Sequence, residues 1–133
     1  MADALHEKLC AKLKGDAALK ALVVDRIFPL ATPKNTERPL LTYREISGVI
    51  DHDLDGPSGL REARLQLDAY AERYRDIIGI RQALDALLDN FRGDLDGQEI
   101  QDLRLSFPSQ DHDREGESIL FHQVIELNVS YIA

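Results

Sequence analysis

The sequence predicts an α+β fold: a four-stranded antiparallel sheet with one long helix packed on a face and short helices near the N-terminus. Three stretches carry that expectation. Between Leu60 and Tyr70 the apolar period is two, with Ala63, Leu65, Leu67 and Ala69 on one side and Arg64, Gln66 and Asp68 on the other, as in a strand with one buried face. From about Glu72 the spacing becomes helical, since Ile77, Ile80, Leu84, Leu87, Leu88 and Phe91 recur at steps of three and four. The last stretch alternates most cleanly. Ile119, Phe121, Ile125, Leu127, Val129 and Tyr131 share one face, interrupted only by Gln123.

The remaining elements follow in chain order. Leu5, Leu9 and Leu13 form a narrow stripe that predicts a helix over 2–14, with Lys12, Lys14 and Gly15 suited to its end. Asp16 is a good N-cap for a second short helix over 17–23 that buries Leu19, Leu22 and Val23. Pro29, Pro33 and Pro39 mark an irregular connector. A strand is expected over 40–49, with a bulge near Glu45 where the alternation slips. A polar loop, Asp51 to Gly59, returns the chain into a strand over 60–69, making a long hairpin. The long helix is expected over 72–90, stopped by Phe91-Arg92-Gly93 with Gly93 as a left-handed cap. Asp96-Gly97 signals a tight turn into a strand over 98–107, with a bulge at Gln101-Asp102. Residues 108–117 read as a charged loop before the final strand over 119–132. One core should hold Leu65, Leu67, Leu84, Leu87, Leu88, Ile125 and Leu127.

Composition limits the function classes. A chain of 133 residues suits one domain over 1–133, and 44% hydrophobic with 30% charged residues is an ordinary globular balance. A net charge of −8 argues against a module that grips nucleic-acid phosphates. The single cysteine, Cys10, cannot form an internal disulfide. No apolar run reaches membrane-spanning length, so no membrane partner is expected.

Two motifs invite a chemical reading. Asp51, Asp53, Asp55 and Glu62, with Gly56 between, match the spacing of a calcium loop. An EF-hand needs a helix on each side, whereas both flanks here read as strands, and Pro57 stiffens the loop. A solvated inter-strand loop is the expectation, with no metal and no cofactor. A hydrolytic or metal-binding protein could instead bring Asp111-His112-Asp113 beside Asp51 and His52, but neither loop offers a rigid ligand frame. No nucleophile elbow, phosphate loop or dinucleotide fingerprint is present, and Cys10 has no evident histidine partner. The residues alone lead to an acidic α+β domain without catalytic residues.

The order of the motifs adds to this. Arg26-Ile27-Phe28-Pro29 precedes the proline-rich connector, Pro39-Leu40-Leu41-Thr42-Tyr43 follows, then Asp51 to Gly56 and Glu62 to Asp68, and finally Phe91-Arg92-Gly93. In that order and spacing the chain resembles the tail-completion or tail-terminator family of long-tailed phages and gene-transfer particles. The resemblance implies a non-enzymatic virion protein at the tail–neck junction, present in host cytoplasm during assembly. It implies a ring of identical subunits, commonly six, that caps the tail tube. The partners implied are the major tail tube protein, the head–neck connector or stopper protein, and DNA passing through the lumen without specific binding. Subunit or tube contacts are expected around Arg26, Phe28, Pro39, Asp53 and Asp55.

Overall fold

The computed structural model describes residues 2–51 and 60–132. Helix α1 (Ala2–Gly15) buries the Leu5, Leu9 and Leu13 stripe. Helix α2 (Ala17–Val23) starts at Asp16, whose carboxylate accepts from the Leu19 N–H at 2.9 Å, so the expected N-cap is realised. Short strand β1 (Ile27–Pro29) follows, then β2 (Leu40–Asp51) and β3 (Leu60–Ala71). Helix α3 (Tyr74–Leu88) leads to β4 (Gly93–Leu95), β5 (Gln98–Glu115) and β6 (Ser118–Ile132).

The sheet corrects the expected fold class. It has six strands, in the order β1-β2-β3-β6-β5-β4, and curls into a half-barrel. It is mixed, because β1 lies parallel to β2, and all other pairs are antiparallel. The two extra strands have three residues each, too few for a period-two signal to stand out from a connector. The helix expected over 72–90 is 15 residues long, Tyr74–Leu88. Its end also differs. Asn90 takes the left-handed conformation at φ 62°, while Gly93 opens β4. Asparagine tolerates that region, and its backbone N–H is held by the Leu103 carbonyl at 2.9 Å.

The largest correction lies at 108–117, expected as a loop. Strand β5 continues to Glu115, and a two-residue turn at Gly116-Glu117 pairs Glu115 with Ser118. Gly116 supplies the positive φ, 63°, at the first central position of a II′-type hairpin. A register shift between Ser106 and Ser109 accommodates Pro108, which has no N–H to give a ladder. Two other irregularities fall where the alternation slipped, between Glu45 and Ser47 and between Ile100 and Asp102, and a further one lies between Ser47 and Ile50. Asp96-Gly97 makes its tight turn with both residues at positive φ, and the Asp94 carboxylate accepts from the Gly97 N–H.

Odd-numbered residues of β3 and β6 face the helices. Leu65, Leu67, Leu84, Leu88, Ile125 and Leu127 are buried in one cluster, with Leu87 packed at its margin. Gln123, the interruption in β6, is fully buried on the same face and is satisfied there. Its amide donates to the Ser109 and Val124 carbonyls at 2.9 and 2.8 Å and accepts from Gln110 at 2.7 Å. The side chain thus meets a carbonyl turned inward by the β5 irregularity.

Candidate assembly surface

The face of the sheet turned away from the helices carries the chain's polar cross-strand contacts. Register sets Tyr70 of β3, His122 of β6 and Asp111 of β5 in one row, with Asp68, opposite Val124, on the diagonal beside His122. His122 Nε2 lies 2.8 Å from Asp68 Oδ1, and its Nδ1 lies 3.3 Å from Asp111 Oδ1. The Tyr70 ring stacks on the imidazole at 4.6 Å, and Gln66 donates to Asp68 at 3.0 Å. Burial raises the Tyr70 phenol above its ordinary pKa, and the Asp68 and Asp111 charges raise it further. Each ring nitrogen of His122 thus faces a carboxylate oxygen. This cluster fastens three strands. Among the described residues no group of three or more histidine, cysteine or acidic side chains is placed to hold a metal ion.

Beyond β3 the β5–β6 hairpin continues as a two-stranded arm, since Ala71 is level with Phe121 and His112. The arm is tethered at its tip. Arg38 grips Glu115 through two nitrogens at 2.9 and 3.4 Å, and Glu72 lies 3.9 Å from the same guanidinium. At its root the Tyr74 hydroxyl donates to Gln110, which donates to Gln123. The connector between β1 and β2 walls a cleft of about 570 Å³ lined by Leu30, Pro33, Asn35, Arg38, Thr42 and Tyr70.

The expected contact residues divide. Arg26 is drawn into the chain itself, with Nε donating to the Pro39 carbonyl at 2.9 Å and Nη2 to the Leu22 carbonyl at 3.3 Å. It thereby ties the far end of the connector to the end of α2. Phe28 is half-buried in β1 opposite Thr42, and Pro39 follows a cis peptide bond. Asp53 and Asp55 lie outside the described residues, as does the body of the calcium-like loop. Its flanks are strands, and Glu62 sits within β3 opposite Ser130. Asp51, the one described residue of the first acidic stretch, lies far from the second. Asp51 pairs with Arg61 at one end of the sheet, whereas Asp111 is level with His122, Tyr70 and Leu40 at the other. Asp111 and Asp113 also lie on a strand, not in a loop, and His112 faces the opposite side from them. Among the described residues the paired-loop hydrolytic arrangement is not formed, and His52 lies outside them.

The residues that matter most on this surface were absent from the sequence-based candidates. Asp68 and His122 pair across the unshifted β3–β6 ladder, and Arg38 and Glu115 pair through an unforeseen hairpin arm, both between residues far apart in sequence. Only the polar interruption at Gln123 was a visible signal.

Comparison with known proteins gives this architecture a context. No curated protein sequence matches the chain. Among solved structures it is similar to a chain of the virion of a native gene transfer agent (GTA) particle, at 14% identity and a TM-score of 0.66, covering 90% of each chain. That likeness is one of fold. The sequence itself matches the family described as Tail completion protein gp17 over residues 7–131. Nearly the whole of the described fold lies within that match, and the chain belongs to the tail completion protein gp17 family.

Proposed function

We propose that this protein is a structural subunit of a phage or phage-derived particle, forming a homo-oligomeric ring, six-membered, that ends the tail tube and joins it to the head–neck connector. The family match over residues 7–131 carries the reading. The fold likeness to a chain of a gene transfer agent virion supports it. Its partners are copies of itself, the major tail tube protein and the connector or stopper. DNA passes through the ring without specific binding, and a net charge of −8 suits a wall that does not hold phosphates. No catalytic residues or cofactor take part. Subunit or tube contacts gather around the connector at Phe28 and Pro39 and around Arg26, which fixes the connector's end. The loop containing Asp53 and Asp55 belongs to the same contact set.

Deleting the gene from its phage tests this reading. Heads and tails should then accumulate unjoined, with tails of aberrant length. Normal infectious particles lacking the protein would refute it.

A further inference from the structure

The sheet ends on both sides in strands too short to cover their neighbours. Strand β1 covers only Leu41 to Tyr43 of β2, so β2 from Arg44 to Asp51 has no strand on its outer side among the described residues. Strand β4 covers only Gln98 to Ile100 of β5. The end of α3 takes up two more groups, with the Leu103 carbonyl accepting from Asn90 N–H and the Leu105 N–H donating to Asp89. Past Leu105 the outer side of β5 is open to Glu115 among the described residues.

The outward groups on β5 can be named. Leu103 and Leu105 point away from β6, where they face Val129 and Leu127. Antiparallel pairs alternate between bonded and non-bonded. Even-numbered residues of β6 therefore turn their backbone toward β5, consistent with Glu115–Ser118 closing the hairpin. Opposite the odd positions 123, 121 and 119, the backbones of Gln110, His112 and Arg114 face outward. Open ladders of this kind are templates for another strand.

Exposed apolar side chains gather at the same two edges. Among the described residues, Val24, Leu30, Ile46 and Tyr74 are the large hydrophobic residues most open to solvent, at 47, 74, 41 and 46%. Val24 and Leu30 flank β1, Ile46 is on β2, and Tyr74 bonds to Gln110 at the root of the arm. The edges are also compatible in direction. Because β2–β3, β3–β6 and β6–β5 are each antiparallel, β2 and β5 run in opposite senses. Ile46 is level with Leu105 in the sheet and the arm lies toward the other end, so copies set side by side with an offset along the strands would offer β2 of one to the β5 arm of the next in antiparallel orientation. Two different patches meeting this way form a heterologous contact, the kind that closes into rings.

We infer that a second copy of this chain occupies each open edge: the outer edge of β2, with Ile46, pairs with the outer edge of the neighbour's β5 arm at Gln110 to Arg114. The inference rests on the ring reading above and specifies its contact. Pro108 and its bulge break the ladder just before the arm, which confines pairing to the segment beyond.

A disulfide test uses subunits with Cys10→Ala. One subunit carries Ile46→Cys, and the other carries Gln110→Cys, His112→Cys or Arg114→Cys. They are mixed, assembled on tails and oxidised. Heterodimers on a non-reducing gel from at least one mixture are expected. Oligomers at the tail end without heterodimers in any mixture would overturn the edge pairing and leave the ring standing. Absence of any oligomer there would remove both. As a second arm, His112→Pro deletes an outward N–H without touching the β5–β6 bonds. It should abolish incorporation into tails while thermal unfolding of the soluble subunit stays the same. Wild-type incorporation of this variant would also overturn the pairing.

Discussion

Replacing Gln123 with leucine isolates the polar device that lets β5 continue past Pro108. The amide is fully buried and makes three hydrogen bonds, two donated to the Ser109 and Val124 carbonyls and one accepted from Gln110. Removing a donor from a buried carbonyl costs about 1–3 kcal/mol, against about 1 kcal/mol net for an ordinary bond. The Gln110 side chain is on an exposed residue and recovers water, so its lost bond adds little. Leucine has similar size and needs no partner, which offsets part of the loss. The balance is a destabilisation of about 2 kcal/mol, shared between the part-buried bonds to the Ser109 and Val124 carbonyls. With an unfolding entropy of about 2.1 cal/mol/K per residue, that lowers the midpoint by roughly 7 °C. Urea and thermal unfolding followed by circular dichroism would measure it. Hydrogen exchange should also show lost protection around the β5 irregularity, with α1 and α2 opening only as far as global stability falls. A midpoint within about 0.5 kcal/mol of the parent, a typical surface-mutation effect, would refute the claim that Gln123 holds this junction.

The other predictions concern packing and titration. Leu84→Ala, at a position with no solvent exposure, should cost about 2–5 kcal/mol in urea unfolding, and a neutral result would contradict its place in the core. Gly79 costs α3 about 1 kcal/mol of helix propensity relative to alanine, but an added Cβ would lie 3.1 Å from Leu22 Cδ1 on the facing helix. Leu22 is only half-buried and can shift by a few tenths of an ångström, so Gly79→Ala should stabilise by about 0.5 kcal/mol while Gly79→Val destabilises; the two melting points decide it. Burial raises Tyr43, Tyr70 and Tyr131 above the ordinary phenol value. The folded state therefore holds these protons more tightly than the unfolded chain. Their stabilisation is complete below about pH 10 and is lost as pH climbs through the raised values. Unfolding free energy measured from pH 8 upward should fall in that window, with phenolate absorbance lagging behind that of free tyrosine.

Much of the fold was legible wherever one residue type dictated a local geometry. Asp16 as an N-cap, the leucine stripe of α1, the Asp96-Gly97 turn and the bulges near Glu45 and Gln101 all follow from neighbours in sequence. The strands β1 and β4 did not, because three residues carry no usable period. The arm failed for a different reason. Gln110 to Glu115 are polar and exposed on both faces, so no buried side writes an alternating pattern there. Their pairing is held by the turn at Gly116 and the ladder to β6. The assembly surface was less legible still. A one-residue slip exchanges the faces of a strand, so Asp68, His122 and Asp111 become neighbours only once the β3–β6 register and the two-residue turn that ends the arm are known.

The central pairing of β3 with β6 has a kinetic side. Each of these strands first has a hairpin partner nearby in sequence, β2 for β3 and β5 for β6, while the seam between them spans α3, β4 and β5. Closing a loop such as that from Asp68 to Val124 carries an entropic cost on the order of 3–4 kcal/mol before any contact repays it. The hypothesis is that seam closure limits the folding rate. Ile125→Val, in the seam opposite Leu67, should then slow refolding, while substitutions in the arm mainly speed unfolding. Stopped-flow refolding of the two variants separates these cases, and equal refolding rates would exclude seam control. Until the seam closes, the nascent subunit has four unprotected strand edges instead of two. An overcrowded cell at that moment favours exchange of whole hairpins between chains, so the time spent before closure sets how many subunits are lost to swapped or aggregated forms.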